Sequence, residues 1–157
     1  MVPINLKLKR IAIVLALLHV LPLALPAYCQ ITENDASADR DAILGPPFTL
    51  LKDELERSFP REEVLEKWGS RIAAEYPSLW YLMITNFENK LVYSFFKEGA
   101  REYASRLQES FRGLNKFSMK EGTSYREFEG NRTMVSHEKL VIEMDTYYFE
   151  LGFGPIR

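Results

Sequence analysis

Histidine is the side chain most often recruited for proton transfer near neutral pH, and this sequence holds two, His19 and His137. His137 stands in Ser136-His137-Glu138, three residue types that also make up nucleophilic triads. A triad needs its side chains to converge in space. Consecutive residues of a strand point to opposite faces, so these three cannot converge if the segment is extended. A catalytic role is therefore not expected of His137, and a pH response is the less remote option. Zinc sites draw mainly on cysteine and histidine. Cys29 is the single cysteine and lies far from His137, so no metal site is expected and no intrachain disulfide can form. Asp35, Asp39 and Asp41 could offer oxygen ligands, but the glycine and terminal glutamate of a calcium loop are missing. Glu127 and Glu129 share one face of an extended segment; with 22 acidic residues such pairs arise by chance and read as surface charge. No glycine-rich phosphate cradle occurs, and no cofactor is expected. Asn131-Arg132-Thr133 fits the N-glycosylation acceptor pattern, which has meaning only in a eukaryotic secretory pathway.

The positive feature is aromatic. The chain carries 10 Phe, 8 Tyr and 2 Trp. Trp80, Tyr81, Tyr93, Tyr147 and Tyr148 fall in segments that read as strands, with Phe95 and Phe149 beside them. Tyrosine joins a large apolar body to a polar tip, which suits a binding surface or pocket. These five residues are the candidate binding set. A sheet core built of aromatics is the competing explanation for the same residues.

The elements that must position them begin after a leader. Lys7, Lys9 and Arg10 precede an apolar run from Ile11 to Leu25, and small residues follow near Ala27. A cationic start, an apolar middle and a small-residue end describe a secretory signal peptide over residues 1–29, cut after Ala27 or Cys29. The run from Ile11 to Ala27 is 17 residues, at the short limit for a membrane span. Pro22 and Pro26 disfavour a continuous helix there. An uncleaved anchor is the alternative. Removing 29 of 157 residues takes away three of the 20 basic side chains, so 17 remain against 22 acidic ones. That acidic balance excludes nucleic-acid binding driven by net positive charge. The chain acts outside the cytoplasm on this reading, secreted or periplasmic, and meets a membrane only if the leader is retained.

Residues 30–46 read as a flexible acidic linker, and residues 47–154 as one domain. Phe48, Leu51, Leu55 and Phe59 recur at helical spacing, which predicts a helix over 47–58 closed by Pro60. A second helix is expected over 61–76, with Val64, Leu65, Trp68 and Ile72 as its stripe. Gly69 within it is either a weak point or a place of close approach. Residues 79–85 are apolar on both alternating faces, as in a strand covered on both sides. Residues 86–89 turn the chain, and residues 90–96 return. A third helix is expected over 98–112. The remainder reads as strands over 123–128, 132–137, 138–145 and 147–153, with a turn at Asp145-Thr146. Short turns join antiparallel strands only.

The fold class is thus α+β: an antiparallel sheet of five to six strands, with two N-terminal helices and one inserted helix packed on one face. Two architectures suit this order by topology. One is profilin-like or PAS-like, a hairpin, a helix and a strand meander on one sheet. The other is an NTF2-like cone. The expected function is non-catalytic binding of a protein partner or a small apolar ligand. The alternatives are an NTF2-like pocket enzyme using carboxylate and tyrosine acid–base groups, and a structural subunit that assembles through a sheet edge.

Overall fold

A computed structural model describes residues 31–103, 105, 121–128 and 130–156. The leader over 1–29, Glu129 and most of the helix expected over 98–112 lie outside the described residues. The described chain runs α1 (Glu33–Leu44), α2 (Pro46–Arg57), α3 (Arg61–Glu75), β1 (Leu79–Asn86), β2 (Leu91–Phe96), β3 (Gly122–Phe128), β4 (Asn131–Ile142) and β5 (Asp145–Ile156). The strands form one antiparallel sheet in the order β2-β1-β5-β4-β3. A hairpin (β1–β2) and a meander (β3–β4–β5) therefore share one sheet, joined where β5 pairs with β1. Among the described residues, no helix is long and apolar enough to cross a membrane.

Residues 33–44, expected as part of a flexible linker, are helix α1. The reason is local. Thr32 caps the helix: its hydroxyl accepts from the Asp35 amide at 3.1 Å, and the Asp35 carboxylate accepts from the Thr32 amide at 3.1 Å. This reciprocal box satisfies two donors that a helix start otherwise leaves unpaired. The other acids are also engaged. Asp39 accepts from the Ser78 amide at 3.1 Å, just before β1. Ala36 and Ile43 are fully buried beneath the helix. Gly45 then ends α1, and Pro46 and Pro47 open α2, where a missing N–H costs nothing.

α2 and α3 pack on the sheet through Leu51 and Leu55 of the first stripe and Val64, Leu65, Trp68 and Ile72 of the second; Phe59, read as part of the first stripe, lies beyond the end of α2 and is exposed. Phe48, Trp68 and Phe149 form a three-ring cluster, with centroids 5.1–6.1 Å apart and planes steeply inclined. Edge-to-face contacts of this kind suit the ring quadrupoles. The Trp68 indole N–H donates to the Pro47 carbonyl at 3.1 Å. Gly69 is a point of close approach: a Cβ there would lie 2.4 Å from Tyr93 Cε1, so the absence of a side chain lets α3 settle on β2.

β1 is buried along nearly its whole length, as its two-sided apolar pattern requires. Leu79, Leu82 and Ile84 join the core beneath the three helices. Trp80, Tyr81 and Met83 form a second cluster with Ala100 and Tyr103. The described start of the inserted helix therefore covers the face opposite α1–α3, where all helices were expected on one face. A strand apolar on both sides needs cover on both. The expected strands 132–137 and 138–145 are one strand, β4. The turn that follows lies at Glu143-Met144 instead of Asp145-Thr146, and Glu143 takes the left-handed conformation (φ 55°).

Candidate functional site

The face of the sheet away from α1–α3 carries the groups that could do chemistry. Its layout follows from strand register. On β1 and β5, Met83 pairs with Glu150 and Thr85 with Tyr148. On β5 and β4, Glu150 pairs with His137 and Tyr148 with Lys139. Directly paired residues of antiparallel strands share a face. Two rows therefore cross the sheet here, Met83–Glu150–His137 and Thr85–Tyr148–Lys139. They line a shallow cleft, with Glu121 also among its lining residues.

Glu150 is the hub of the first row. The Tyr81 hydroxyl donates to its Oε1 at 2.9 Å, and His137 Nε2 lies 3.4 Å from its Oε2. Tyr81 is fully buried. Its ring reaches Glu150 by crossing Gly152, where a Cβ would stand 2.0 Å from Tyr81 Cε1. A strand glycine beneath an aromatic ring is a place where another group must come close. Burial pushes the Glu150 carboxyl up, but His137, the Tyr81 hydroxyl and the Arg126 guanidinium outweigh it and hold the group below the usual carboxylate range. Burial, reinforced by the Glu150 charge, drives the Tyr81 phenol well above its ordinary value. At neutral pH the pair is thus a carboxylate accepting from a neutral phenol. Neither group is poised to release a proton.

Of the five candidate binding residues, the structure brings Trp80, Tyr81 and Tyr148 to this face. Trp80 packs on Tyr103 with centroids 5.0 Å apart, and its indole N–H donates to the Glu98 carbonyl at 3.3 Å. Tyr148 alone of the five lines the cleft. Tyr93 lies on the other face against Gly69, and Tyr147 is buried in the core beneath the helices. Tyr147 belongs to the core cluster while also lining a depression at one end of the sheet, and Tyr93 packs against that cluster partly buried.

Ser136, His137 and Glu138 divide as strand alternation requires. The Ser136 hydroxyl donates to Glu138 at 3.1 Å, while His137 meets Glu150 across the sheet. Burial pushes the Glu138 carboxyl up, partly offset by Ser136. Of the acceptor pattern Asn131-Arg132-Thr133, Asn131 is half-buried at the start of β4 and Thr133 is buried. Among the described residues, no group of three His, Cys, Asp or Glu side chains could hold a metal ion.

Sequence reasoning did not bring out Met83, Thr85, Lys139 and Glu150 as site residues. The signal that finds them is register. Once the β4–β5 turn is placed at Glu143-Met144, counting five residues out from Ile142 and Asp145 pairs His137 with Glu150. The chain matches no family model, no curated protein and no solved structure.

Proposed function

We propose that this chain is a non-catalytic binding domain that takes a small, largely apolar molecule with one polar group in the cleft between Met83, Thr85, Tyr148 and His137. The observation that supports this most is the cleft itself. Apolar and aromatic walls meet at an ionised carboxylate, Glu150, which is already held by Tyr81 and His137. Pockets that mix apolar walls with a few fixed polar groups are the common form of small-molecule sites. Exposed Lys139 is the lining side chain with which an acidic group on the ligand would pair, set apart from the carboxylates of Glu121, Glu138 and Glu150 that also line the cleft.

The acid–base enzyme alternative has less support. Glu150 is held ionised and Tyr81 neutral, so neither has the near-neutral pKa that general acid–base catalysis uses. Assembly through a sheet edge would engage β2 or β3, which are the outer strands.

The compartment we assign is outside the cytoplasm, on the strength of the cationic and apolar leader over 1–29. N-terminal sequencing of the protein from its native host checks this; a chain still beginning at Met1 contradicts cleavage.

The binding reading is tested with 1-anilinonaphthalene-8-sulfonate, a small apolar probe with one acidic group. Saturable, one-site fluorescence enhancement is expected, weakened at least fivefold by Tyr148→Ala and by Lys139→Glu. Enhancement that does not saturate, or that both variants leave unchanged, would overturn the reading. Native mass spectrometry of protein from its own host adds an independent readout, a retained small molecule absent from Tyr148→Ala.

A further inference from the structure

A second surface lies at one end of the sheet and shares no lining residue with the cleft. Three turns converge there: the α2–α3 corner at residues 58–61, the β1–β2 turn at 86–89 and the β4–β5 turn at 143–146. Each puts a large apolar side chain into solvent. Phe59 is 75% exposed, Phe87 47% and Met144 96%. Phe59 and Phe87 line one depression together with Arg61, Asp145 and Tyr147. Exposing an isolated apolar side chain is ordinary, but here Phe59 and Phe87 share one depression and Met144 stands on the turn that also supplies Asp145 and Thr146 to it.

Two of the three turns are held together by a buried cation. Arg61 is 4% exposed. Its guanidinium donates to the Leu55 carbonyl at 3.0 Å, to Glu143 at 2.8 Å and to Asp145, and it stacks on the Phe59 ring at 4.5 Å. The α2–α3 corner is thereby tied to the β4–β5 turn. Presentation on a fixed frame lowers the ordering cost of binding.

Charge decides what fits. Residues 58–63, 86–90 and 143–146 carry Glu62, Glu63, Glu88, Glu143 and Asp145 against Arg61 and Lys90. Arg61 is paired with Glu143 and Asp145, which leaves Glu62, Glu63 and Glu88 against Lys90, so the rim keeps an acidic excess. An acidic rim is repelled by anionic lipid headgroups and by a second copy of itself. Position is also informative. Ile31 bridges Ile156 at the opposite end of β5, which at about 3.3 Å per residue is roughly 36 Å away. The patch is therefore remote from Ile31, the first described residue.

We propose that this end of the sheet is a docking surface for a protein partner that presents an apolar pocket ringed by lysine and arginine. Phe59, Phe87 and Met144 would enter the pocket, and Glu62 and Glu88 would meet the basic ring.

The test uses a random peptide display library selected on the full chain. Peptides that combine aromatic or aliphatic residues with lysine and arginine are expected. A chosen peptide should bind at least tenfold more weakly to the Phe59→Ser/Phe87→Ser/Met144→Ser variant, and several-fold more weakly to Glu62→Lys/Glu88→Lys. It should lose affinity as salt rises from about 50 to 300 mM, because exposed charges are screened. Leu50→Ser, which removes an exposed apolar side chain elsewhere (59% exposed), should change nothing. Equal thermal midpoints keep loss of fold apart from loss of binding. No enrichment over the triple variant overturns the proposal. So does binding to phosphatidylserine vesicles, or a concentration-dependent dimer, that the triple variant abolishes.

Discussion

Gly152→Ala puts the construction of the far face to a quantitative test. Gly152 is not in a left-handed conformation, so alanine is compatible with its backbone. On that ground alone the change should stabilise by about 0.4–1 kcal/mol, through the less flexible unfolded chain. The space decides otherwise. The new methyl would stand 2.0, 2.4 and 2.5 Å from three atoms of the Tyr81 ring. Tyr81 is fully buried, between Phe96 and Tyr103, so the ring cannot swing into solvent. Overpacking a core costs about 1–3 kcal/mol. A displaced ring also gives up its hydrogen bond to the ionised Glu150, and bonds to charged groups contribute about 1.5–3 kcal/mol. The net expectation is destabilisation by about 2–5 kcal/mol. Urea unfolding followed by tryptophan fluorescence reads it, since Trp68 and Trp80 are both core residues. The partner experiment is Tyr81→Leu. In that background the alanine should cost less than 1 kcal/mol, because the clash and the bond are already gone. A wild-type-background cost below 1 kcal/mol, or an equal cost in both backgrounds, would refute the reasoning.

Other perturbations have equally definite outcomes. Arg61→Met should destabilise by about 2–3 kcal/mol in thermal or urea unfolding. Glu143 and Asp145 are 70% and 43% exposed, so water takes over much of the lost pairing and holds the cost below that of a fully buried ion pair. Thr32→Ala should cost about 1 kcal/mol and raise hydrogen exchange in the first turn of α1; unchanged exchange would argue against the capping box. Glu150→Gln should flatten the acid limb of the stability profile. The folded-state carboxyl is depressed, so its contribution is complete above the unfolded value near 4.3 and fades as pH falls through the folded value. Wild type and variant should therefore converge once pH has fallen below the depressed folded value.

Which features the sequence disclosed follows from the range of the forces involved. α2, α3 and β1 were legible because their stripes follow a simple period: Leu51 and Leu55 for one helix, Leu65, Trp68 and Ile72 for the next. α1 was not, because only Ala36 and Ile43 of its 12 residues are buried and its polar composition matches a linker. Its one clear mark is the Thr32–Asp35 box, with aspartate in the place usually held by glutamate or glutamine. The β4–β5 turn was misplaced by two residues because Glu143 supplies the left-handed position that Asp145 and Thr146 seemed better suited to guide. That slip pairs His137 with Gly154 instead of Glu150, which conceals the polar cluster. The five-aromatic set was half informative for a related reason. Residue type marks Tyr93 and Tyr147 as buried or binding, but only register assigns a face.

The central claim is that the cleft over Met83, Thr85, Tyr148 and His137 is where a ligand sits. Backbone amide NMR during titration with 1-anilinonaphthalene-8-sulfonate tests it most directly. Saturable shifts concentrated at residues 83–85, 137–139 and 148–150, with α1–α3 unaffected, are the predicted result. Shifts confined to other surfaces, or none up to millimolar probe, would contradict the account.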